Sequence, residues 1–110
     1  MSDELDESPK EELTYDIYFH VTAFVDRVIV TERENKPLLA TIVVSTYTCD
    51  NLLKMRAQAL DMVAYGEVAE SIVETCREAA INRKKLHFSG VPIKQTHKPY
   101  ATRLVIVRVD

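Results

Sequence analysis

The chain has 110 residues, of which 46% are hydrophobic and 28% are charged, and this composition is typical of a single globular domain. Its two glycines exclude a glycine-rich phosphate-binding loop, and its two cysteines, which form no CxxC pair, do not indicate a zinc site. The sequence contains no apolar run near 18 residues and no apolar N-terminal segment. We therefore expect a cytoplasmic protein with neither a membrane span nor a secretory signal.

The net charge of −3 is distributed unevenly along the chain. Residues 1–12 carry six acids and one lysine, whereas the other 98 residues carry eleven acids and thirteen bases. Between Arg83 and Arg108 there are seven bases and no acid. We predict an acidic, disordered tail over residues 1–12 and a single domain over residues 13–110, whose C-terminal part is basic.

The first part of the domain has the pattern of β-strands. Alternate positions from Tyr15 to Val21 are apolar, which predicts a strand that begins near Thr14. After Asp26 and Arg27, the run Val28–Thr31 is rich in β-branched residues. We predict a second, short strand there.

The segment 37–48 allows two interpretations. In the first, residues 34–37 form a hairpin turn and Leu39–Tyr47 is a strand, which the β-branched residues of this run favour. In the second, Asn35 caps a helix whose first turn holds Lys36 and Pro37, and this helix joins two parallel strands. Local propensity favours the strand, and both interpretations remain open.

The longest apolar stripe covers Leu53–Ala80, where apolar residues recur at intervals of three or four. A helix of thirty residues would span about 45 Å, more than the diameter of about 34 Å expected for a compact domain of this size. Because Leu53–Ala57 alternates strictly, we predict a short strand there and a helix over about Gln58–Ala80. Two adjacent apolar rows on this helix exceed what one sheet face needs, and they predict a homodimer.

The end of the chain has the pattern of a hairpin formed by Leu86–Ile93 and Ala101–Val109. Lysines and arginines on such an arm release condensed counterions when they meet a phosphate backbone. The hairpin therefore indicates an arm that binds nucleic acid, and the alternative is a solvated loop with ordinary surface bases. The basic residues of the predicted arm are Lys94, His97, Lys98 and Arg103.

No catalytic or metal-binding motif is visible in the sequence. The three histidines, His20, His87 and His97, are far apart along the chain and lack the spacing of paired ligands. We therefore expect no enzyme, no cofactor and no bound metal. We also expect no small-molecule substrate and no membrane partner.

Two segments resemble the Alba superfamily of nucleic-acid-binding proteins. The first is Lys36-Pro37 followed by an apolar run, and the second is Lys54-Met55-Arg56-Ala57-Gln58-Ala59-Leu60 at the start of the long helix. The resemblance implies an α+β fold of order β-α-β-α-β-β, with a four-stranded mixed sheet and here an extra N-terminal strand. It also implies a homodimer that holds DNA or RNA with two hairpin arms. The alternative order is β-β-β-α-β-β with one long helix.

From these patterns we predict a non-catalytic protein that contacts the backbone of DNA or RNA without sequence preference. The alternative is a protein–protein adaptor or assembly subunit without nucleic-acid binding. If the arm is not the site, the next candidate is the basic exit of the helix at residues 83–85. The predicted contact residues, of which Lys36, Lys54 and Arg56 come from the Alba resemblance, are Lys36, Lys54, Arg56, Lys94, His97, Lys98 and Arg103.

Overall fold

The structure, a computed structural model, describes residues 17–110 except 50, 51, 53, 96 and 97, and at 48–49, 95 and 98–101 it describes the backbone alone. The predicted acidic tail, residues 1–12, lies outside the described residues, as does the predicted start of the first strand near Thr14. The elements in chain order are β1 (Phe19–Thr31), β2 (Leu39–Cys49), β3 (Met55–Tyr65), α1 (Gly66–Asn82), β4 (Lys85–Gln95) and β5 (Lys98–Val109).

The five strands form a closed barrel in the order β1-β2-β3-β5-β4. Neighbouring strands are antiparallel except β3 and β5, which are parallel. Strand β1 pairs with β4 along its first half and with β2 along its second half, and its register shifts between Val25 and Arg27. At the change of partner, Phe24 lies opposite both Lys85 of β4 and Ser45 of β2.

The barrel interior is filled by alternate residues of the strands, and one face of α1 packs against the same core. A five-stranded closed barrel with a helix between the third and fourth strands is the OB fold. No helix in the described ranges is long and apolar enough to cross a membrane. The buried core comprises Ala23, Val25, Ala40, Ile42, Val44, Met62, Ala64, Ala69, Ile72, Cys76, Ala79, Phe88 and Ile106.

The predicted Alba-like fold, with its four-stranded mixed sheet and its helix over 37–48, is wrong. Strand β2 pairs with β3 over eleven consecutive positions, from Leu39 opposite Tyr65 to Cys49 opposite Met55. The turn before β2 contains Asn35 in the left-handed region, with φ of 61°. Because β1 and β3 are not paired with each other, no crossover helix is needed between them. The observed order is β-β-β-α-β-β.

The predicted boundary between the short strand and the long helix is also wrong. Strand β3 continues to Tyr65, and α1 begins at Gly66, whose φ of 59° suits glycine. The apolar residues of 58–64 recur at helical spacing, but this segment forms a strand because it pairs with β2 and buries Met62 and Ala64 in the barrel. The two early strands predicted on either side of Asp26 are likewise one strand, β1.

The two apolar rows that predict a homodimer do not lie on one helix. The two apolar rows are divided between β3 and α1, and much of each row is buried in the core: Met62 and Ala64 of β3, and Ala69, Ile72, Cys76 and Ala79 of α1. Cys76, which belongs to one of these rows, is buried, and its burial raises the pKa of the thiol to about 11. The thiol is therefore protonated at neutral pH. The homodimer stays a prediction.

Candidate nucleic-acid interface

The outer surface of β1, β2 and β3 carries two clusters in which an aromatic ring meets two cationic side chains. Successive side chains of a strand point to opposite faces, so the residues between the buried ones lie outside the barrel. One outward row across the three strands contains Phe24, Ser45 and Ala59. At the other end of the same surface, Tyr65 lies at the end of β3.

The first cluster surrounds Phe24, whose ring is half-buried. The Nζ atom of Lys85 lies 5.3 Å from the centroid of this ring, and the Cζ atom of Arg83 lies 6.0 Å from it. Tyr47, which is 60% exposed, lines the same cavity on the β2 side. We call this cavity the aromatic groove, and its lining residues are Phe24, Asp26, Ser45, Thr46, Tyr47, Ala57 and Arg83.

The end of α1 places Arg83 over the groove. Arg83 has a φ of 57° and a ψ of 47°, the left-handed conformation in which helices commonly end with glycine. The backbone N–H of Lys84 donates to the carbonyl of Ala79 at 3.0 Å and closes the last turn. A left-handed arginine costs roughly 1–2 kcal/mol compared with a right-handed conformation. The chain therefore carries a strained backbone at the position that brings a guanidinium to Phe24.

One carboxylate also faces the aromatic groove. Asp26 lies at the register shift of β1 and accepts a hydrogen bond from the Ser45 hydroxyl. The Thr46 hydroxyl donates to the carbonyl of Thr22 at 2.9 Å and ties β2 to β1 beside the groove. Together with Lys85, which lies over the Phe24 ring, the groove thus carries two cations, one carboxylate and two aromatic rings. Its charge favours an anionic ligand, and Asp26 opposes that preference.

The second cluster, which we call the Tyr65 cluster, consists of Arg33, Tyr65 and Arg103. The Nη1 atom of Arg103 donates to the Tyr65 hydroxyl at 2.6 Å. The Cζ atom of Arg33 lies 6.0 Å from the Tyr65 ring centroid, and its Nη2 donates to the carbonyl of Pro37 at 3.2 Å. The Arg33 Nε atom is buried and has no hydrogen-bond partner within the described part of the chain.

The structure also brings together two histidines that the sequence separates. The rings of His20 and His87 are stacked, with centroids 5.5 Å apart. The Nδ1 atom of His20 lies 3.2 Å from the Ser89 hydroxyl, and that of His87 lies 3.0 Å from the Thr22 hydroxyl. Where the structure is described, no three His, Cys, Asp or Glu side chains are grouped so that they could hold a metal ion.

The predicted contact residues do not converge on one point. Arg103 belongs to the Tyr65 cluster, and Lys36 is exposed on the β1–β2 loop that also holds Arg33. Lys54 and Arg56 are exposed at the other end of β3. His97 lies outside the described residues, and the side chain of Lys98 does so as well.

The C-terminal hairpin forms as predicted, but its bases do not share one face. Ile93 lies opposite Arg103, and Lys94 lies opposite Thr102, the next pair of the ladder. Because faces alternate along a strand, Lys94 and Arg103 point to opposite sides of the hairpin. Lys94 and Arg103 therefore cannot both contact a phosphate backbone that lies on one face of the hairpin.

The aromatic groove was missed by the predicted contact set. Its two cations belong to the basic helix exit at residues 83–85, the second candidate from the sequence. Phe24 and Tyr47 carried no separate signal, because aromatic residues in alternating strands are equally typical of a barrel core. Only the pairing of Phe24 with Lys85, which are 61 positions apart, brings ring and cation together.

No protein-family model matches this sequence, and no curated protein matches it. The structure does match solved structures. Two structures of the protein PriB from Ralstonia solanacearum have a TM-score of 0.57 and 10% sequence identity, with 84% of this chain and 94% of that chain covered. SSB from Plasmodium falciparum, in complex with ssDNA, has a TM-score of 0.54 and 17% identity, with 84% and 89% covered. The resemblance to the Alba superfamily is therefore wrong, and this chain shares the OB fold of PriB and SSB.

Proposed function

We propose that this protein binds single-stranded nucleic acid, without catalysis, on the outer surface of β1, β2 and β3. The observation that carries this proposal is the exposed aromatic groove, in which Lys85 and Arg83 lie 5.3 and 6.0 Å from the Phe24 ring. Bases stack on Phe24 and Tyr47, and the two cations contact neighbouring phosphates. Single-stranded DNA is the first candidate, because the SSB that shares this fold is in complex with ssDNA.

Exposed rings favour a single strand over a duplex for a geometric reason. The ring of Tyr47 is mostly exposed and that of Phe24 is half-buried, so both are at least partly accessible to a base, whereas a base in a duplex has both of its faces covered by its neighbours. An unpaired strand leaves its bases free to stack, and every base has a π-face, so binding of this kind tolerates any sequence. The proposal therefore retains the expected lack of sequence preference, but it assigns the contact surface to the groove and not to the predicted arm.

The expected energies are large enough to measure. Stacking of one base on an aromatic side chain contributes about 1–3 kcal/mol, as judged by alanine substitution. Each cation that neutralises a phosphate of a single strand adds about 0.7 to the magnitude of the log–log salt slope. Asp26, which also lines the groove, reduces the electrostatic part of this affinity.

The test is a fluorescence anisotropy titration with labelled dT15, rU15 and a 15-base-pair duplex in low and in moderate salt. We expect dT15 to bind more tightly than the duplex and its affinity to fall with salt. Phe24→Ala lowers the affinity for dT15 about 5- to 100-fold. Val107→Ala, which truncates an apolar side chain that is 47% exposed on β5, serves as the control and leaves the affinity unchanged.

Two results contradict the proposal. One is the absence of salt-sensitive binding to either single strand. The other is equal binding of Phe24→Ala and the control. Tighter binding of rU15 than of dT15 would keep the proposal and assign RNA as the ligand.

One observation favours the second candidate function, a protein–protein adaptor or assembly subunit. Tyr47, Leu52 and Met55 are 60%, 70% and 71% exposed near the outer end of β2 and β3. Exposed apolar side chains in one region are typical of interaction surfaces. If Leu52→Ser with Met55→Ser reduces the mass measured by light scattering at tens of micromolar and leaves dT15 binding intact, this region mediates self-association, as the predicted homodimer requires.

A further inference from the structure

The Tyr65 cluster is a set of hydrogen-bond donors for which the described residues supply no anionic partner. The Tyr65 hydroxyl accepts from Arg103, so its own proton is left to donate. Within the ranges that the structure describes, neither Arg33 nor Arg103 forms an ion pair with a carboxylate. Two guanidinium groups beside one phenol are mutually repulsive, and an anion between them relieves that repulsion.

We propose that Arg33, Tyr65 and Arg103 form a phosphate-binding site, separate from the aromatic groove, that holds the backbone of the strand whose bases stack in the groove. The proposal rests on the proposed function. The ligand at this site is a phosphodiester group. A guanidinium presents paired N–H donors that match phosphate oxygens, and the tyrosine hydroxyl adds a third donor.

The distance between the two sites sets the length of strand that reaches both. From the row of Ser45 and Ala59 to the row of Leu39 and Tyr65 the ladder advances six residues. At about 3.4 Å per residue this is about 20 Å. A stacked strand that rises about 3.4 Å per nucleotide covers this distance with about six nucleotides, and an extended strand needs fewer.

The charges between the two sites favour one path. The first outward row beyond the groove, two residues along the ladder toward Tyr65, contains Arg27 on β1, Val43 on β2 and Asp61 on β3, and both charged residues are exposed. A phosphate backbone is attracted to the Arg27 side and repelled from the Asp61 side. The strand therefore runs along β2 with its phosphates toward β1.

Two carboxylates oppose binding at the Tyr65 cluster. Glu32 and Glu34 flank Arg33 in the β1–β2 loop and are exposed. Because they are in solvent, their repulsion is screened at moderate salt, whereas the hydrogen bonds from Arg103 and Tyr65 are short-range. The site is thus expected to bind a phosphate that the groove already holds nearby, rather than to capture free phosphate by itself.

The experiment compares a short and a long strand. Trithymidylate fills the groove without reaching Tyr65, and dT12 reaches both sites. We expect Arg103→Ala to lower the affinity for dT12 about 5- to 10-fold and Tyr65→Phe to lower it two- to fivefold, and neither to change the affinity for dT3, measured by NMR titration. Arg108→Ala is the matched control, because Arg108 also lies on β5 but pairs with Asp110 at 3.1 Å.

Each other outcome overturns the proposal. If Arg103→Ala and Arg108→Ala weaken dT12 binding equally, only the overall charge matters. If Arg103→Ala weakens dT3 and dT12 by the same factor, Arg103 acts on the groove and not at a separate site. If the unmodified protein binds neither strand, the proposed function fails as well. If it binds both but shows no dependence on Arg103, the phosphate site alone fails.

Discussion

The aromatic groove and the Tyr65 cluster contain the same kinds of side chain in opposite arrangements. In the groove, Lys85 and Arg83 lie over the ring of Phe24, and Tyr47 is mostly exposed. In the Tyr65 cluster, Tyr65 is half-buried and its hydroxyl is engaged by Arg103. The first arrangement leaves the ring of Tyr47 exposed to a flat, uncharged group, and the second holds N–H and O–H groups in place through hydrogen bonds.

Under the proposed function, this difference divides the recognition of a nucleotide between two places on one barrel surface. Bases are bound through their faces, which need exposed rings. Phosphates are bound through donors, which need fixed directions and gain from a hydrogen-bonded scaffold. The two clusters are about 20 Å apart along the β2–β3 ladder, as judged from the rise per residue. The following predictions test this division, from the largest expected effect to the smallest.

Removal of both rings of the groove is expected to have the largest effect. Phe24→Ala combined with Tyr47→Ala removes two stacking surfaces, so the affinity for dT12 falls about 30-fold or more. Tyr65→Phe, which keeps its ring, lowers the same affinity by less than about fivefold. Anisotropy titrations of both variants check the contrast. Equal losses would show that the two clusters do not differ in role.

Removal of the groove cations is expected to change the salt dependence of binding. Arg83→Ala with Lys85→Ala reduces the magnitude of the log–log salt slope by about 1.4 for a single strand, and the affinity falls about tenfold in low salt. The measurement is a series of anisotropy titrations between 50 and 200 mM salt. A double variant that loses affinity but keeps its slope would mean that these two cations support the rings and do not contact phosphates.

Replacement of the strained residue is expected to move stability and binding in opposite directions. Arg83→Gly relieves the left-handed strain at the end of α1, so the free energy of unfolding rises by about 0.5–1 kcal/mol. The same change removes a cation from the groove and weakens dT12 binding. Urea denaturation measures the free energy of unfolding. Asn35→Gly is the control: Asn35 is also left-handed, with φ of 61°, but asparagine tolerates this conformation. Lower stability of Arg83→Gly would contradict the argument.

The smallest effect is expected from the carboxylate of the groove. Asp26→Asn keeps an acceptor for the Ser45 hydroxyl and removes one negative charge, so dT12 binds about two- to fourfold more tightly in low salt. Glu78→Gln, an equal change of charge on the exposed side of α1, is the control. If the affinity for dT12 rises equally in both variants, the position of Asp26 in the groove has no particular importance.

The sequence by itself determined the local elements whose residue pattern is typical of only one kind of secondary structure. The C-terminal hairpin is predicted from two apolar runs, and it is present. For residues 37–48 the β-branched residues favour the strand that the structure shows, but the sequence leaves a helix open as well. The basic character of residues 83–108 could also be recognised. Of the predicted contact residues, Arg103 lies in the Tyr65 cluster.

Only the tertiary structure decided where β3 ends and which residues meet in the aromatic groove and the Tyr65 cluster. The run 55–65 has apolar residues at both helical and strand spacing, and it becomes a strand because β2 supplies eleven partners and the barrel buries one of its faces. The site depends on still longer separations, since Phe24 meets Lys85 and Tyr65 meets Arg103 through strand pairing. A local pattern fixes which face a residue can occupy, whereas the neighbour across the barrel is set by closure of the sheet, which no short segment of the chain encodes.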